Sequence, residues 1–206
     1  MALLRYAVLV MFIFGLTALS IQVFRGRRFG KRTLHSEGTG DPLKGISYAM
    51  GKGMMPWEKE SASRHLLTYV AGMLYHAGIF AAIAWSIILA LGISLPAIPV
   101  YILAGFILSG FLFGLGLLIK RILKLPMRSI SCPDDYLSNI LVDVFLLSAC
   151  LSTLWSGLIP LFFIMSILTF FYMPMGKIRH CFYFFYSRIL FGSYFGRRGV
   201  LPHKTT

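Results

Sequence analysis

The sequence predicts an all-α integral membrane protein with five transmembrane helices, and three observations support this fold class. The chain of 206 residues is 57% hydrophobic and only 13% charged, and its mean hydropathy of +0.76 is above that of ordinary water-soluble domains. Its apolar runs are long enough to cross a hydrocarbon core about 30 Å thick, which takes about 20 helical residues. Helix is the expected conformation because each backbone amide in lipid needs a partner within its own segment.

The five predicted spans follow the apolar runs in chain order. Their predicted bounds are Tyr6–Val23, Leu66–Ile93, Val100–Ile119, Tyr136–Leu154 and Gly157–Met173. Pro160 falls in the first turn of the last span, where proline is tolerated. The N-terminal run lacks a clear small-residue cleavage site, so we expect it to be the first span and not a removed signal peptide.

The distribution of basic residues predicts the orientation in the membrane. Of the twenty Lys and Arg residues, nine lie in 25–64, four in 120–128 and six in 177–204, whereas Arg5 stands alone. The positive-inside rule then places the N-terminus outside and the C-terminus inside a multi-pass protein of the inner (cytoplasmic) membrane. A nucleic-acid partner is not expected, because the net charge of +13 is divided among loops between apolar runs.

The predicted domain organisation is a single transmembrane domain over residues 1–195 and a polar cytoplasmic tail over 196–206. Within the domain, residues 25–64 form a cytoplasmic loop rich in Gly and charge, for which we expect little structure of its own and a role in anchoring to anionic lipid. Residues 178–195 mix aromatic side chains with Arg179 and Arg188. That composition predicts a helix lying along the inner membrane interface.

Ionisable side chains within the predicted spans are the first candidates for function, because they are costly in lipid. His76 lies in the second span, and His180 follows the fifth span closely enough to return towards the inner end of the bundle. Two neutral imidazoles facing each other across a helix bundle are the axial ligands of a low-spin b-type haem. Ala77 and Gly78 would let the flat macrocycle approach the helix. A hydrogen-bonded packing role for His76 is the alternative interpretation.

The residues around these two histidines resemble a known family. Leu74-Tyr75-His76-Ala77-Gly78-Ile79 and Met173-Pro174-Met175-Gly176-Lys177-Ile178-Arg179-His180 are similar to motifs of the respiratory nitrate reductase gamma-subunit family of membrane cytochromes b, a group that includes cytochrome subunits of heterodisulfide reductases. The resemblance covers the whole chain in topology and these two short motifs in sequence. It implies haem b, a membrane quinone, and an iron-sulfur partner subunit on the cytoplasmic side.

The chain departs from the family pattern at the outer of the two haems that are usual there. The family pattern would place the outer haem's histidines at Ser86 and Phe162, whereas both ligands of the inner haem are retained as His76 and His180. We therefore expect one haem per chain. It would pass electrons between a quinone and the partner as part of a respiratory oxidoreductase complex.

Further residues are assigned to this site with less specific roles. His65 precedes His76 by eleven residues, which on one continuous helix would place both on one face about 16 Å apart; we expect an interfacial role for it near a haem propionate. His35 lies in the loop and His203 in the tail. Asn139 and Asp143, one turn apart on the fourth span, are candidates for quinone binding, with an interhelical polar contact as the alternative. Arginines at the inner boundary could pair a propionate or act as topology anchors: Arg64, Arg128 and Arg179.

A second class of function stays open at this level. The chain could be a cofactor-free membrane anchor or assembly subunit, in which the histidines pack between helices and the basic loops recruit a soluble partner. The presence or absence of a b-type haem spectrum separates the two hypotheses.

Overall fold

The computed structural model describes residues 1–28 and 37–202, and over these residues the fold is all-α, as predicted. The α-helices in chain order are α1 Ala2–Arg28, α2 Pro42–Met50, α3 Glu60–Arg64, α4 Leu66–Ala90, α5 Ala97–Leu123, α6 Leu125–Ser129, α7 Pro133–Leu154, α8 Ile159–Tyr172 and α9 His180–Arg197. Short 3-10 helices occupy Lys52–Met54, Pro56–Glu58, Ser156–Leu158 and Lys177–Arg179. His35 and His203 lie outside the described residues.

Four of these helices, α1, α4, α5 and α7, are each long and apolar enough to cross a membrane. A fifth span is obtained if Ser156–Tyr172 and Lys177–Arg197, separated by a short break, count as one. The chain is therefore a membrane-spanning helical bundle of four to five spans. Which side of the membrane each loop faces stays a prediction.

The predicted spans coincide with helices, but several helices extend beyond the apolar run. Helix α1 continues from the predicted end at Val23 to Arg28, α5 ends at Leu123 and not at Ile119, and α7 begins at Pro133. Helix propagation does not depend on hydrophobicity, so charged residues at the membrane boundary stay helical. The last span begins later than predicted, because Ser156–Leu158 forms a 3-10 turn before α8.

The chain divides into two compact units, each of which is described by itself. The first comprises Met1–Ala18 and Leu67–Ile178, and the second comprises Leu19–Leu66 and Arg179–Thr206. The predicted polar tail is described as far as Pro202. There the amides of Val200 and Leu201 donate to the Phe195 carbonyl and close the end of α9.

The core of the first unit lies where α4, α5, α7 and α8 meet. The central cluster consists of buried residues that are mainly aromatic or aliphatic: Ala81, Ala82, Trp85, Ile107, Val142, Phe145, Leu146, Ala149 and Phe162. A second cluster joins α1 to the rest of the unit. Its buried side chains are Val8 of α1, Ala90 of α4, and Phe163 and Phe170 of α8. Two buried hydrogen bonds join helices within the unit: the Trp85 indole donates to Ser152 Oγ at 3.0 Å, and the Ser86 hydroxyl donates to Ser166 Oγ at 3.1 Å.

Helices α4 and α5 touch through their glycines. A Cβ built on Gly78 would lie 2.6 Å from the Cα of Gly110, and one built on Gly110 would lie 2.7 Å from the Cα of Gly78. In lipid the hydrophobic effect does not drive helices together, so close backbone approach of this kind supplies much of the association energy. Gly110 and Gly114 form a G-x-x-x-G pair on α5, a spacing typical of close helix packing, and Gly110 makes this contact.

A polar cluster joins the charged ends of α5, α7 and α8 in the first unit. Asp135 accepts hydrogen bonds from the Cys132 amide at 2.8 Å and from Lys177 Nζ at 2.7 Å, and it lies 3.1 Å from Arg121 Nη1. The first of these bonds is half of a capping box that starts α7. Tyr172, the last residue of α8, donates to the neighbouring Asp134. The cluster therefore ties the helix ends where the apolar core stops.

The second unit is held together by close packing of α2 on α9. Gly45 of α2 faces Gly196 of α9, where an added Cβ would lie 2.5 Å from the Gly196 Cα. Gly192 similarly faces Ile46, at 2.6 Å from its Cα. Asp41 starts α2 by accepting from the Leu43 amide at 2.8 Å, with Pro42 at the first helical position.

The prediction of little structure in residues 25–64 is wrong for residues 42–64. They form α2, α3 and two 3-10 turns, and Arg188 of α9 binds the end of α2. Its guanidinium donates to the Ala49 carbonyl at 2.9 Å and to the Gly53 carbonyl at 3.0 Å, which satisfies acceptors that the helix end leaves without partners. Tyr48 also donates to Glu58 at 2.7 Å. The glycines that suggested flexibility instead permit contact between helices.

The contact between α4 and α5 can be tested by adding one methyl group. We expect Gly110→Ala to reduce the free energy of unfolding by about 1–3 kcal/mol, because the methyl overlaps the backbone of α4. Gly105→Ala on the same helix is the control, since nothing lies within 4 Å of its added Cβ. Thermal unfolding of purified protein in detergent, followed by circular dichroism, measures the difference. Equal stability of the two variants would contradict the packing described here.

The packing of α2 on α9 can be tested separately. Gly192→Ala should open the contact, because its methyl overlaps the backbone of Ile46. Hydrogen exchange of the α2 amides should then become at least several-fold faster. Gly26→Ala is the matched control, with nothing within 4 Å of its Cβ. Unchanged exchange in Gly192→Ala would show that α2 does not depend on α9.

Candidate functional site

His76 is positioned by the turn of α4 that precedes it. Its Nδ1 lies 2.6 Å from the carbonyl oxygen of Gly72, one turn earlier on the same helix. A carbonyl only accepts hydrogen bonds, so Nδ1 carries the proton, and Nε2 carries the lone pair of the neutral ring. A backbone carbonyl that orients the imidazole in this way is the usual support of a metal-binding histidine.

The direction of His76 follows from the packing of Gly78. Two residues along an α-helix correspond to about 200° of rotation, so a helix that presents Gly78 to α5 presents His76 to nearly the opposite side. The imidazole is accordingly exposed, although it lies within an apolar span. The prediction that Gly78 makes room for a macrocycle needs correction, because Gly78 is buried against Gly110 of α5.

The family pattern would place the two histidines of the outer haem at positions 86 and 162. Both positions lie in the close-packed core of the first unit. Ser86 and Phe162 are both fully buried, at 0% exposure. Ser86 donates its hydroxyl to Ser166, and the Phe162 ring lies 5.6 Å from that of Phe145 in a stacked arrangement. Side chains of this chain therefore fill the volume around both positions.

Asp143 belongs to a polar contact between α4, α5 and α7. Its side chain is 4% exposed, and its Oδ2 accepts a hydrogen bond of 3.0 Å from the Asn139 amide. The same amide donates to the Tyr75 hydroxyl of α4 at 3.2 Å, and a Cβ at Gly114 of α5 would overlap both the Asp143 carboxyl and the Tyr75 ring. The interhelical polar contact considered for Asn139 and Asp143 is thus present, and their role in quinone binding stays a prediction.

Tyr75 and Gly72 are the members of these arrangements that sequence reasoning did not single out. Gly72 lies four residues before His76, where helix geometry places its carbonyl beside the histidine ring. Tyr75 gave no signal of its own, because its partner Asn139 is 64 positions away. Only the packing of α4 against α7 brings them together.

His180 lies in the second unit, where it is the exposed first residue of α9. Arg179, which precedes it, is also exposed, and so is Arg64 at the end of α3. Arg128 lies in the first unit, exposed near the end of α6. His76 and His180 therefore belong to different units, and the shared iron stays a prediction.

The assumption that His65 and His76 share one continuous helix is wrong. His65 ends α3 with φ −131° and ψ 47°, which is not helical, and α4 begins at Leu66. The backbone at His65 breaks the 3.6-residue periodicity on which the one-face argument depended. His65 is exposed, and its interfacial role near a propionate stays a prediction.

Among the described side chains, which leave out residues 29–36, 60–61 and 203–206, no three His, Cys, Asp or Glu side chains meet as a metal site. A haem with two axial histidines needs only two protein ligands, so its prediction does not depend on such a group. Comparison with known proteins adds no constraint, because no protein-family model, curated protein or solved structure matches the chain. The class that the fold defines is an all-α membrane protein.

Proposed function

We propose that the chain is a membrane cytochrome b subunit of a respiratory complex, which passes electrons between a membrane quinone and an iron-sulfur partner on the cytoplasmic side. The observation that carries the proposal is the orientation of His76. The Gly72 carbonyl lies 2.6 Å from Nδ1, so Nε2 is the ring nitrogen that would bind the iron.

The exposure of the His76 ring supports the same proposal. An imidazole on an apolar transmembrane helix is costly to leave facing lipid. The side of α4 that carries it is turned away from α5, and the ring is exposed in the chain as it stands. A flat, largely apolar cofactor bound through Nε2 would cover it.

The packing around Ser86 and Phe162 supports one haem in place of two. Both side chains are fully buried, and the hydrogen bond from Ser86 to Ser166 joins α4 to α8 at that level. Introducing a second macrocycle there would displace Phe145 and Trp85 from the core. The proposed inner ligands, His76 and His180, are by contrast both exposed.

Each of these residues would have its own role in binding the haem or the quinone. His76 and His180 would hold the iron, and the Gly72 carbonyl would keep the His76 ring in one orientation. A haem bound there would supply reversible one-electron transfer. Arg64, Arg128 and Arg179 are exposed cations that could each pair a propionate carboxylate. A quinone could reach Asp143 only by opening the contact among α4, α5 and α7, because the side chain is 4% exposed.

The second unit supports the proposal of a soluble partner. Residues 42–64 are folded against α9, so they present a defined surface and not a loose loop. Large apolar side chains on that unit are exposed, including Leu43 at 75% and Trp57 at 71%. Exposed aromatic and aliphatic side chains on a folded surface are typical of interaction sites. This surface is the proposed docking region for the iron-sulfur subunit.

The haem is tested by absorption spectroscopy of the purified protein. We expect the dithionite-reduced minus oxidised spectrum to show a b-type α band and a pyridine assay to give one haem per chain. Both His76→Ala and His180→Ala should lose the band completely, because each removes one of two axial ligands. His76→Met should retain haem with a raised midpoint potential, since a thioether ligand favours the reduced iron.

The control is Gly105→Ala on α5, which has nothing within 4 Å of its added Cβ and should leave the band intact. Circular dichroism confirms that each variant is folded. Two haems per chain would contradict the filling of the outer position. A colourless wild-type protein would reject the cytochrome proposal and select the second candidate.

That second candidate is the cofactor-free anchor or assembly subunit. The observation that favours it is the folded second unit, which offers an interaction surface whether or not the chain binds haem. Under this alternative, Trp57→Ser would abolish partner binding, and His76→Ala would leave that binding unchanged.

A further inference from the structure

The Asp143 carboxyl is an ionisable group buried within the membrane bundle without a charged partner. It is 4% exposed on α7. Its Oδ2 accepts from the Asn139 amide at 3.0 Å, whereas Oδ1 is buried and makes no hydrogen bond with the described residues. The Tyr75 hydroxyl lies close enough to interact with the same carboxyl. Oδ2 therefore has a well-formed hydrogen bond, whereas Oδ1 has none among the described residues.

The groups that approach Asp143 from each packed helix are neutral. Helix α4 presents Tyr75, and α5 presents Gly114, whose lack of a side chain leaves room for the carboxyl. The cations farther along α5, Lys120 and Arg121, bond instead to Thr68 and Ser131, and Arg121 also pairs with Asp135. On α8, Tyr172 donates to Asp134 at the start of α7.

An ionised carboxylate in such surroundings would lose its hydration without gaining a counter-ion. Buried acids in this position take up a proton and become neutral. Because Oδ2 already accepts from Asn139, the proton belongs on Oδ1, the buried oxygen that makes no hydrogen bond with the described residues. The neutral acid places no charge in the bundle, whereas the carboxylate would leave charge on a buried oxygen that accepts no hydrogen bond there.

We propose that Asp143, Asn139 and Tyr75 form a proton-binding site within the bundle, in which Asp143 carries its proton at neutral pH. The ligand is the proton itself. A site of this kind responds to charge, because an electron added within the bundle favours the protonated acid and an added cation favours proton release. All three residues lie in the first unit, so the proposal does not depend on the haem.

Infrared difference spectroscopy tests the proposal directly. The spectrum of wild type minus Asp143→Asn at pH 7 should contain the carbonyl band of a protonated carboxylic acid. Asn is nearly the same size and can still accept from Asn139, so the variant should fold. A difference spectrum that contains carboxylate bands in place of the acid band would overturn the proposal.

Two further samples make the assignment specific. Asp135→Asn is the matched control on the same helix: Asp135 is paired with Lys177 and Arg121, so its removal should leave the acid band in place. Loss of the band in Asp135→Asn, or its persistence in Asp143→Asn, would refute the site. If Asp143→Asn does not fold, ¹³C-labelled aspartate in the wild type should shift an acid band at pH 7, and absence of such a band refutes the proposal.

A separate variant tests whether the Tyr75 hydroxyl interacts with the Asp143 carboxyl. Tyr75→Phe keeps the ring against Gly114 and removes the hydroxyl. The acid carbonyl band should move to higher frequency, because the carboxyl loses a hydrogen-bond partner. An unmoved band would exclude Tyr75 from the site.

Discussion

The contact between Gly78 and Gly110 is the constraint on which the rest of the first unit depends. Apolar side chains gain nothing by leaving lipid for one another, so helices in a membrane associate where their backbones fit closely. Here the two Cα positions come so near that neither glycine has room for a Cβ. The contact sets the rotation of α4 about its own axis. That rotation directs Tyr75 towards Asp143 and turns His76 to the other side.

The two candidate sites of α4 are therefore separated by the geometry of a single helix. Tyr75 and His76 are neighbours in sequence, yet one joins a polar contact within the bundle and the other is exposed. The exposed imidazole is suited to a ligand from outside the unit, and the buried carboxyl of Asp143 is suited to a proton. Neither function interferes with the other's packing. The proposed electron carrier would have use for both, because an added electron favours proton binding nearby.

The second unit is also held together by close contact between helix backbones. Gly45, Gly192 and Gly196 bring α2 and α9 into backbone contact. Arg188 then satisfies the carbonyls at the end of α2, so a helix of only nine residues is held in place. An isolated helix of that length would be marginal in water. Its stability comes from the tertiary contact, which is why composition alone suggested a loop without structure.

The sequence by itself determined the all-α membrane fold and the positions of its spans, and it singled out His76 and Asp143 as candidate residues, because hydrophobic length and the cost of polar groups in lipid act locally along the chain. Tertiary structure decided what those residues face. The pairing of Asn139 with Tyr75 and the filled positions at Ser86 and Phe162 depend on helix rotation. So does the burial of Gly78 against α5. Rotation is set by contacts between residues far apart in the chain, which no local pattern records.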